Sequence, residues 1–255
     1  MAIVLFTDFG ADLYVGQVKA VLADHAPAVP IIDLMHDAPA FDVVASAHLL
    51  AACAPRFAPG TVFLAVVDPG VGTRRDAIVM ECDGRLLVGP DNGLLSVCAA
   101  RSVAARCWSI AWRPKSLSSS FHGRDLFAPI AGLIAAGRWP QARLVPKGQP
   151  DVRLGTEDAC ALIYIDRYGN ACTGVRAIGV PREALVCVKS ATLRHALVFG
   201  AARDGEAFWY ENSLGLVEIA ANRASAAALL GLRVGEAIRI ETVHDGANDI
   251  HDRPR

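Results

Sequence analysis

Asp68 closes an apolar run, Thr61-Val62-Phe63-Leu64-Ala65-Val66-Val67, and opens the segment Asp68-Pro69-Gly70-Val71-Gly72-Thr73-Arg74-Arg75. The run reads as a buried strand of a parallel sheet. A carboxylate at the carboxyl end of such a strand stands where open α/β sheets bind ligands. The two glycines let backbone approach a ligand closely, and the arginines put positive charge beside the acid. A tight turn in which Asp68 caps its own backbone would leave the same trace. The pattern recurs, however. Thr7-Asp8-Phe9-Gly10 ends the first strand, and His36-Asp37 follows the second. Phe121-His122-Gly123-Arg124-Asp125 precedes a helix, and Asp166-Arg167-Tyr168-Gly169-Asn170 ends a strand further on. Singly, Asp8 and Asp125 could be helix caps and His36 a packing histidine. Together they exceed what capping requires.

The elements that must position these groups alternate through the first part of the chain. Strands are expected at 3–6, 30–34, 61–67, 77–81 and 86–88, the last two around the hairpin signal Asp83-Gly84. Helices are expected at 13–24, 41–54, 94–100 and 125–136, with Pro129 near the start of the last. This predicts an N-terminal α/β domain over residues 1–140 with a largely parallel central sheet. Residues 141–157, with Pro146, Gly148, Pro150 and Gly155, read as a linker. Short strands at 161–165, 184–188, 207–210, 216–219 and 237–243 then predict a smaller C-terminal β domain over 158–246, barrel-like. Residues 247–255 read as a polar tail.

Composition excludes several classes of function. Hydrophobic residues make up 53% and charged residues 20%, with a formal net charge of -1. No Lys/Arg block is present to bind nucleic acid, and no apolar run approaches a bilayer span. The start, Met1-Ala2-Ile3-Val4-Leu5-Phe6, enters a strand without a basic leader, so a cytoplasmic location is expected. Seven cysteines, at 53, 82, 98, 107, 160, 172 and 187, lack disulfide or zinc spacing and read as buried thiols in a reducing compartment. Asp8, Asp68, His36 and His122 are metal-ligand types, but without i,i+4 pairing or cysteine support no metal is expected. The Gly-x-Gly-x-x-Gly, Gly-Lys-Ser/Thr and Gly-x-Ser-x-Gly signatures are all absent.

These motifs, with Asp12 to Gly16, Ile32-Asp33 and Gly89-Pro90-Asp91-Asn92-Gly93, resemble in order and spacing the S-adenosyl-L-methionine (SAM) hydroxide adenosyltransferases. That family, the adenosine-forming SAM hydrolases, is related to SAM-dependent fluorinases and chlorinases. The resemblance implies hydrolysis of SAM to adenosine and L-methionine, with SAM as substrate and no cofactor. It also implies a homotrimer whose active sites lie between the N-terminal domain of one subunit and the C-terminal domain of its neighbour. Asp68, Arg75 and His122 match the set that holds and activates water, and Asp8 matches the acid on the ribose hydroxyls. Phe41 lies where halogenases place an aromatic over the sugar. Asp166 and Asn170 resemble the pair at the methionine amino group, and Ser213 a serine at its carboxylate. Halogenases carry Tyr where this chain has Asp68, and a fixed carboxylate there would repel a halide. A halogenase is therefore the lesser alternative. The other is a non-catalytic adenosine- or SAM-binding sensor, which rests on Leu214, Cys172 and Gly174, where the chain departs from its relatives near the methionine end.

Overall fold

Strands whose faces are both buried must be covered on two sides, and the N-terminal sheet meets that demand with two pairs of helices. The computed structural model describes residues 1–242. The expected end of the last strand at Val243 and the polar tail 247–255 lie outside the described residues. Residues up to Ala159 form one unit and those from Cys160 form a second.

The first unit holds seven strands: β1 (Ile3–Thr7), β2 (Ile31–Met35), β3 (Val62–Val66), β4 (Ala77–Cys82), β5 (Arg85–Pro90), β6 (Ala105–Ile110) and β7 (Leu144–Lys147). They lie in the order β2-β1-β3-β5-β4-β6-β7. Strands β1, β2, β3, β5 and β6 run one way, and β4 and β7 run the other. The sheet is therefore mostly parallel. From β1 the chain crosses to β2 on one side, then returns to β3 on the other, so the β1/β3 junction is a topological switch point.

Ile3, Leu5, Val62, Leu64 and Val66 pack into one core with Val18 and Leu22 of helix α1 (Leu13–His25). Alternate residues Val4, Phe6, Phe63 and Ala65 are equally buried, on the opposite face. Helices α2 (Val43–Cys53) and α3 (Ser96–Arg101) pack together, while helix α4 (Ala128–Ala135) packs with α1.

Three sequence expectations change here. Helix α2 begins at Val43, because Asp42 is its N-cap, with Oδ1 accepting Ala45 N–H at 2.9 Å. The helix expected from Asp125 begins instead with a π-helical turn, Gly123–Phe127, ahead of α4. The stretch read as a linker contributes β7, which pairs with β6 at the sheet edge. Pro146 is tolerated there because an edge strand does not need every donor.

The second unit is β8 (Ala159–Ile165), β9 (Ala171–Arg176), β10 (Leu185–Val188), β11 (Ala191–Leu193), β12 (Ala207–Glu211), β13 (Leu216–Ala221) and β14 (Ile238–Glu241), with the short helix α5 (Ala226–Leu230). Two antiparallel sheets, β11-β10-β14 and β12-β13-β9-β8, share one core that includes Leu162, Val186, Trp209, Ile219 and Ile238. Single bridges join their edges, Ala161 to Ala237 and His195 to Trp209, and close the ring as a small barrel. None of the seven cysteines is in a disulfide, and six are buried, Cys160 being the exception. Among the described residues no helix is long and apolar enough to cross a membrane.

Candidate active site

The carboxyl ends of β1 and β3 lie side by side, with Thr7 paired to Val66, so the acids that follow, Asp8 and Asp68, emerge at the switch point. Asp68 turns back toward Arg75. Arg75 Nε donates to Asp68 Oδ1 at 2.9 Å, and Nη2 donates to Oδ2. Both side chains are almost out of solvent, 4% exposed for Asp68 and 10% for Arg75. This is the fork geometry in which a guanidinium meets both oxygens of one carboxylate. The intervening loop is tight. Gly72 has φ +81, and a Cβ there would collide with the Ser119 carbonyl.

Arg75 also fixes His122. Its Nη2 lies 3.1 Å from His122 Nδ1, and its guanidinium lies 5.3 Å from the centre of the Phe127 ring. A guanidinium can only donate, so Nδ1 is the acceptor, and the neutral imidazole carries its proton on Nε2. Burial first, and the Arg75 charge second, hold the His122 pKa below its usual 6.5, which keeps the ring neutral at pH 7. His122 stands at the start of the π-helical turn, where Ala128 N–H reaches back five residues to Gly123 O. Such turns recur at functional sites.

A cavity of about 380 Å³ opens here, lined by Asp8, Tyr14, Phe41, Asp68, Phe121 and His122 among others. Burial raises the Asp8 pKa above 3.8, with Asp68 adding to the rise, while the Phe41 backbone N–H opposes it. Phe41 is 78% exposed and holds φ +64, a conformation an aromatic residue rarely adopts. Its N–H meets Asp8 through that backbone, and its ring is left at the cavity. Phe9, Tyr14 and Phe121 form a cluster on the same cavity, with ring centres 5.3–6.1 Å apart, Phe121 meeting the other two edge-on. Sequence reasoning passed over this aromatic wall, although Phe9 and Phe121 sit inside the motifs that drew attention.

His36 does not line this cavity. Its ring bridges Thr7 Oγ1 at 2.8 Å and Asp33 Oδ1 at 3.1 Å, so it ties the ends of β1 and β2 together. Nor does Asp125 cap a helix: Oδ2 accepts Ser118 N–H at 2.9 Å, and the carboxylate pairs with Arg124. Among the described residues, three carboxylates could hold a cation together, Asp76, Asp91 and Asp151. Lys147 Nζ sits among them at 3.0, 2.9 and 2.8 Å. Burial opposes the Lys147 charge, but the three acids outweigh it and raise its pKa.

In the second unit, Asp166 and Asn170 form one structure. Asp166 Oδ1 accepts the N–H groups of Tyr168 and Asn170, and Oδ2 accepts Asn170 Nδ2, each at 2.9 Å. Ser213 lies on the neighbouring β12–β13 turn and lines a cavity of about 290 Å³ with His195 and Trp209. Its neighbour Asn212 donates to Glu218 Oε2 at 2.8 Å and to Cys172 Sγ at 3.4 Å, which ties the two hairpins together.

Residues 3–143 match the family model for the SAM hydroxide adenosyltransferase N-terminal domain, and residues 160–239 match that for the C-terminal domain. The chain is 38% identical over 252 residues to a protein of Salinispora arenicola named (R)-S-adenosyl-L-methionine hydrolase, covering 92% of this chain and 95% of that one. A Thermus thermophilus protein of the same name is 36% identical over 251 residues, covering 92% and 97%. Among solved structures, an uncharacterised conserved protein of Thermotoga maritima superposes with TM-score 0.85 at 32% identity, covering 94% of this chain and all of that one.

Proposed function

This chain belongs to the SAM hydroxide adenosyltransferase family, and from that premise we propose that it hydrolyses SAM to adenosine and L-methionine. The observation that carries the reading is the Asp68–Arg75–His122 set beside the cavity that Asp8 and Phe41 line. The attacking oxygen bonds to ribose C5′ as the C5′–S bond breaks, the electron pair passes to sulfur, and the proton that an attacking water loses is released to solvent. Methionine leaves as a neutral thioether, so no acid is needed at the leaving group. That suits a set whose own acid, Asp68, is paired with Arg75.

The residues divide the work. Arg75 takes one lone pair on each Asp68 oxygen and the lone pair of His122 Nδ1, so the donor offered to a water or hydroxide is His122 Nε2–H, while Asp68, which also lines the cavity, keeps lone pairs to accept from it. That donor and the Arg75 charge hold hydroxide character near C5′. Sulfonium charge is lost on the way to the transition state, so displacing water from the aromatic wall on binding would favour the transition state over bound SAM. Asp8 accepts the ribose hydroxyls and Phe41 covers the sugar. Asp166 and Asn170 take the methionine amino group, and Ser213 its carboxylate. SAM is the substrate, and the reaction uses no cofactor.

Incubation with SAM in ¹⁸O-labelled water should give adenosine labelled at the 5′ oxygen, together with methionine. Methylthioadenosine as sole product, a 5′-halogenated adenosine in saturating chloride, or adenosine binding without SAM turnover would each refute the reading.

We place the enzyme in the cytoplasm, as a homotrimer in which two chains complete each site. Support comes from the division of the candidate residues: those of the 380 Å³ cavity belong to the first unit, and Asp166, Asn170 and Ser213 to the second. Mixed oligomers of His122→Ala and Asn170→Ala chains should then regain part of the activity that each lacks alone. Absence of rescue in mixed oligomers verified by mass would mean that each chain builds its own site.

A further inference from the structure

Strand β3 delivers Asp68, yet its ladders stop short of it. Pairing with β1 ends at Thr7–Val66, and pairing with β5 ends at Leu64–Val88. The carbonyl of Val67, the last before Asp68, is taken by a side chain instead. Asn92 Nδ2 donates to Val67 O at 2.9 Å, while Asn92 Oδ1 accepts Leu94 N–H at 3.1 Å. An asparagine before a glycine often accepts a bond from the backbone two residues on, and that alone would be a turn device. A donor bond to a carbonyl 25 residues away is not something a turn needs.

The turn that presents Asn92 is itself pinned. The fully buried Asp91 carboxylate accepts Lys147 Nζ at 2.9 Å and Asp151 N–H at 3.0 and 3.1 Å. Lys147 also binds Asp76 at 3.0 Å, and the Asp76 carbonyl accepts both Arg75 Nη1 and Asp91 N–H at 3.0 Å. One knot of charges, buried at Asp91 and open to solvent at Asp76 and Asp151, thus backs the chain beside Asp68 and the chain beside Arg75.

Resting on the SAM-hydrolase reading, we propose that Asn92 is a positioning residue: its amide holds the last carbonyl of β3 and so aligns Asp68 for both hydrogen bonds from Arg75. It touches no substrate and acts through that pair. Loss of the rung lets Asp68 swing, and Arg75 no longer sits squarely on His122 Nδ1.

The test is Asn92→Ala, with Asn92→Leu as a second variant that keeps the branched shape and also lacks the donor. Each is made in the wild-type and in the Arg75→Ala background. A misplacement of about 1 Å can cost about a hundredfold, so kcat for SAM should fall about 10- to 100-fold with KM within about twofold. The same substitution should add little once Arg75 is gone. NMR titration of His122 supplies a readout independent of turnover. Its midpoint should rise as Arg75 moves away, with Asp68, Arg113 and Asp125 the other charges that face the ring. Equal losses in both backgrounds with an unshifted His122 midpoint would overturn the proposal and leave Asn92 a turn residue. Wild-type protein without SAM turnover would overturn the hydrolase reading alone, because the His122 titration still reports whether Asn92 aligns the pair.

Discussion

Replacing Arg75 by Ala is expected to lower kcat for SAM hydrolysis by about 10²–10³-fold, the usual cost of one preorganised charge-stabilising donor, with KM changed less than about twofold. The side chain holds four things at once: both oxygens of Asp68, the Nδ1 of His122, the Asp76 carbonyl, and the face of Phe127. Its partner in the reaction is the nucleophile, not bound SAM, so the loss should fall on kcat. The substitution also leaves the Asp68 carboxylate buried without its counter-charge, which costs of order 3 kcal/mol of stability. Arg75→Lys keeps a charge but not the fork, so it should recover melting temperature more than rate. The pH profile should move as well. Burial and Arg75 both depress the His122 pKa, so removing Arg75 raises it toward 6.5. The ring then protonates at higher pH than in the wild type, and the acid limb of kcat shifts upward. A raised KM with unchanged kcat would show that Arg75 binds substrate instead.

Asp8→Ala should act on the other constant. Hydrogen bonds to a charged group contribute about 1.5–3 kcal/mol, so KM for SAM and Kd for adenosine should both rise about ten- to hundredfold. kcat should change far less, because the ribose hydroxyls are bound equally in ground and transition states. Burial raises the Asp8 pKa above 3.8, so the carboxylate is lost at a higher pH than an exposed one. Affinity for adenosine should therefore fall as pH drops through that raised value, and Asp8→Asn should abolish the dependence. Calorimetry with adenosine across pH 4–7 reads this directly, that window being set at about the carboxylate range and upward. Unchanged adenosine affinity in Asp8→Ala would place the nucleoside elsewhere.

Much of this arrangement is written locally, and some of it is not. Asp8 and Asp68 each end an apolar run, and their adjacency follows from parallel strands meeting at a switch point. Arg75 and His122 stand out singly by residue type, but their pairing could be reached only through family resemblance, because a contact across 47 residues has no periodic signature. The strand β6 escaped notice because Ala105-Arg106-Cys107-Trp108-Ser109-Ile110 shows no clean alternation, and β9 because Ala171-Cys172-Thr173-Gly174 is small and carries a glycine. Lys147 was hidden for a related reason. Pro146, Gly148 and Pro150 surround it with breakers, while the acids it gathers come from positions 76, 91 and 151. Charge clusters assembled from distant segments leave no trace in a local window. Phe41 was read as helical, whereas Asp42 caps the helix behind it and leaves Phe41 outside.

The π-helical turn at Gly123–Phe127 has a consequence for how this sequence can diverge. Relative to a regular helix, a wide turn of this kind accommodates one additional residue. Deleting any one residue between His122 and α4 would let the segment relax to ordinary helical spacing, since each residue advances the chain by about 100°. His122 would be carried round by that angle, away from Arg75, even with every side chain conserved. Substitutions within the turn can be graded in their effects, but a change of length there is all or none. In descendants of this chain the count of residues from His122 to Ala128 should stay fixed while identities around it drift.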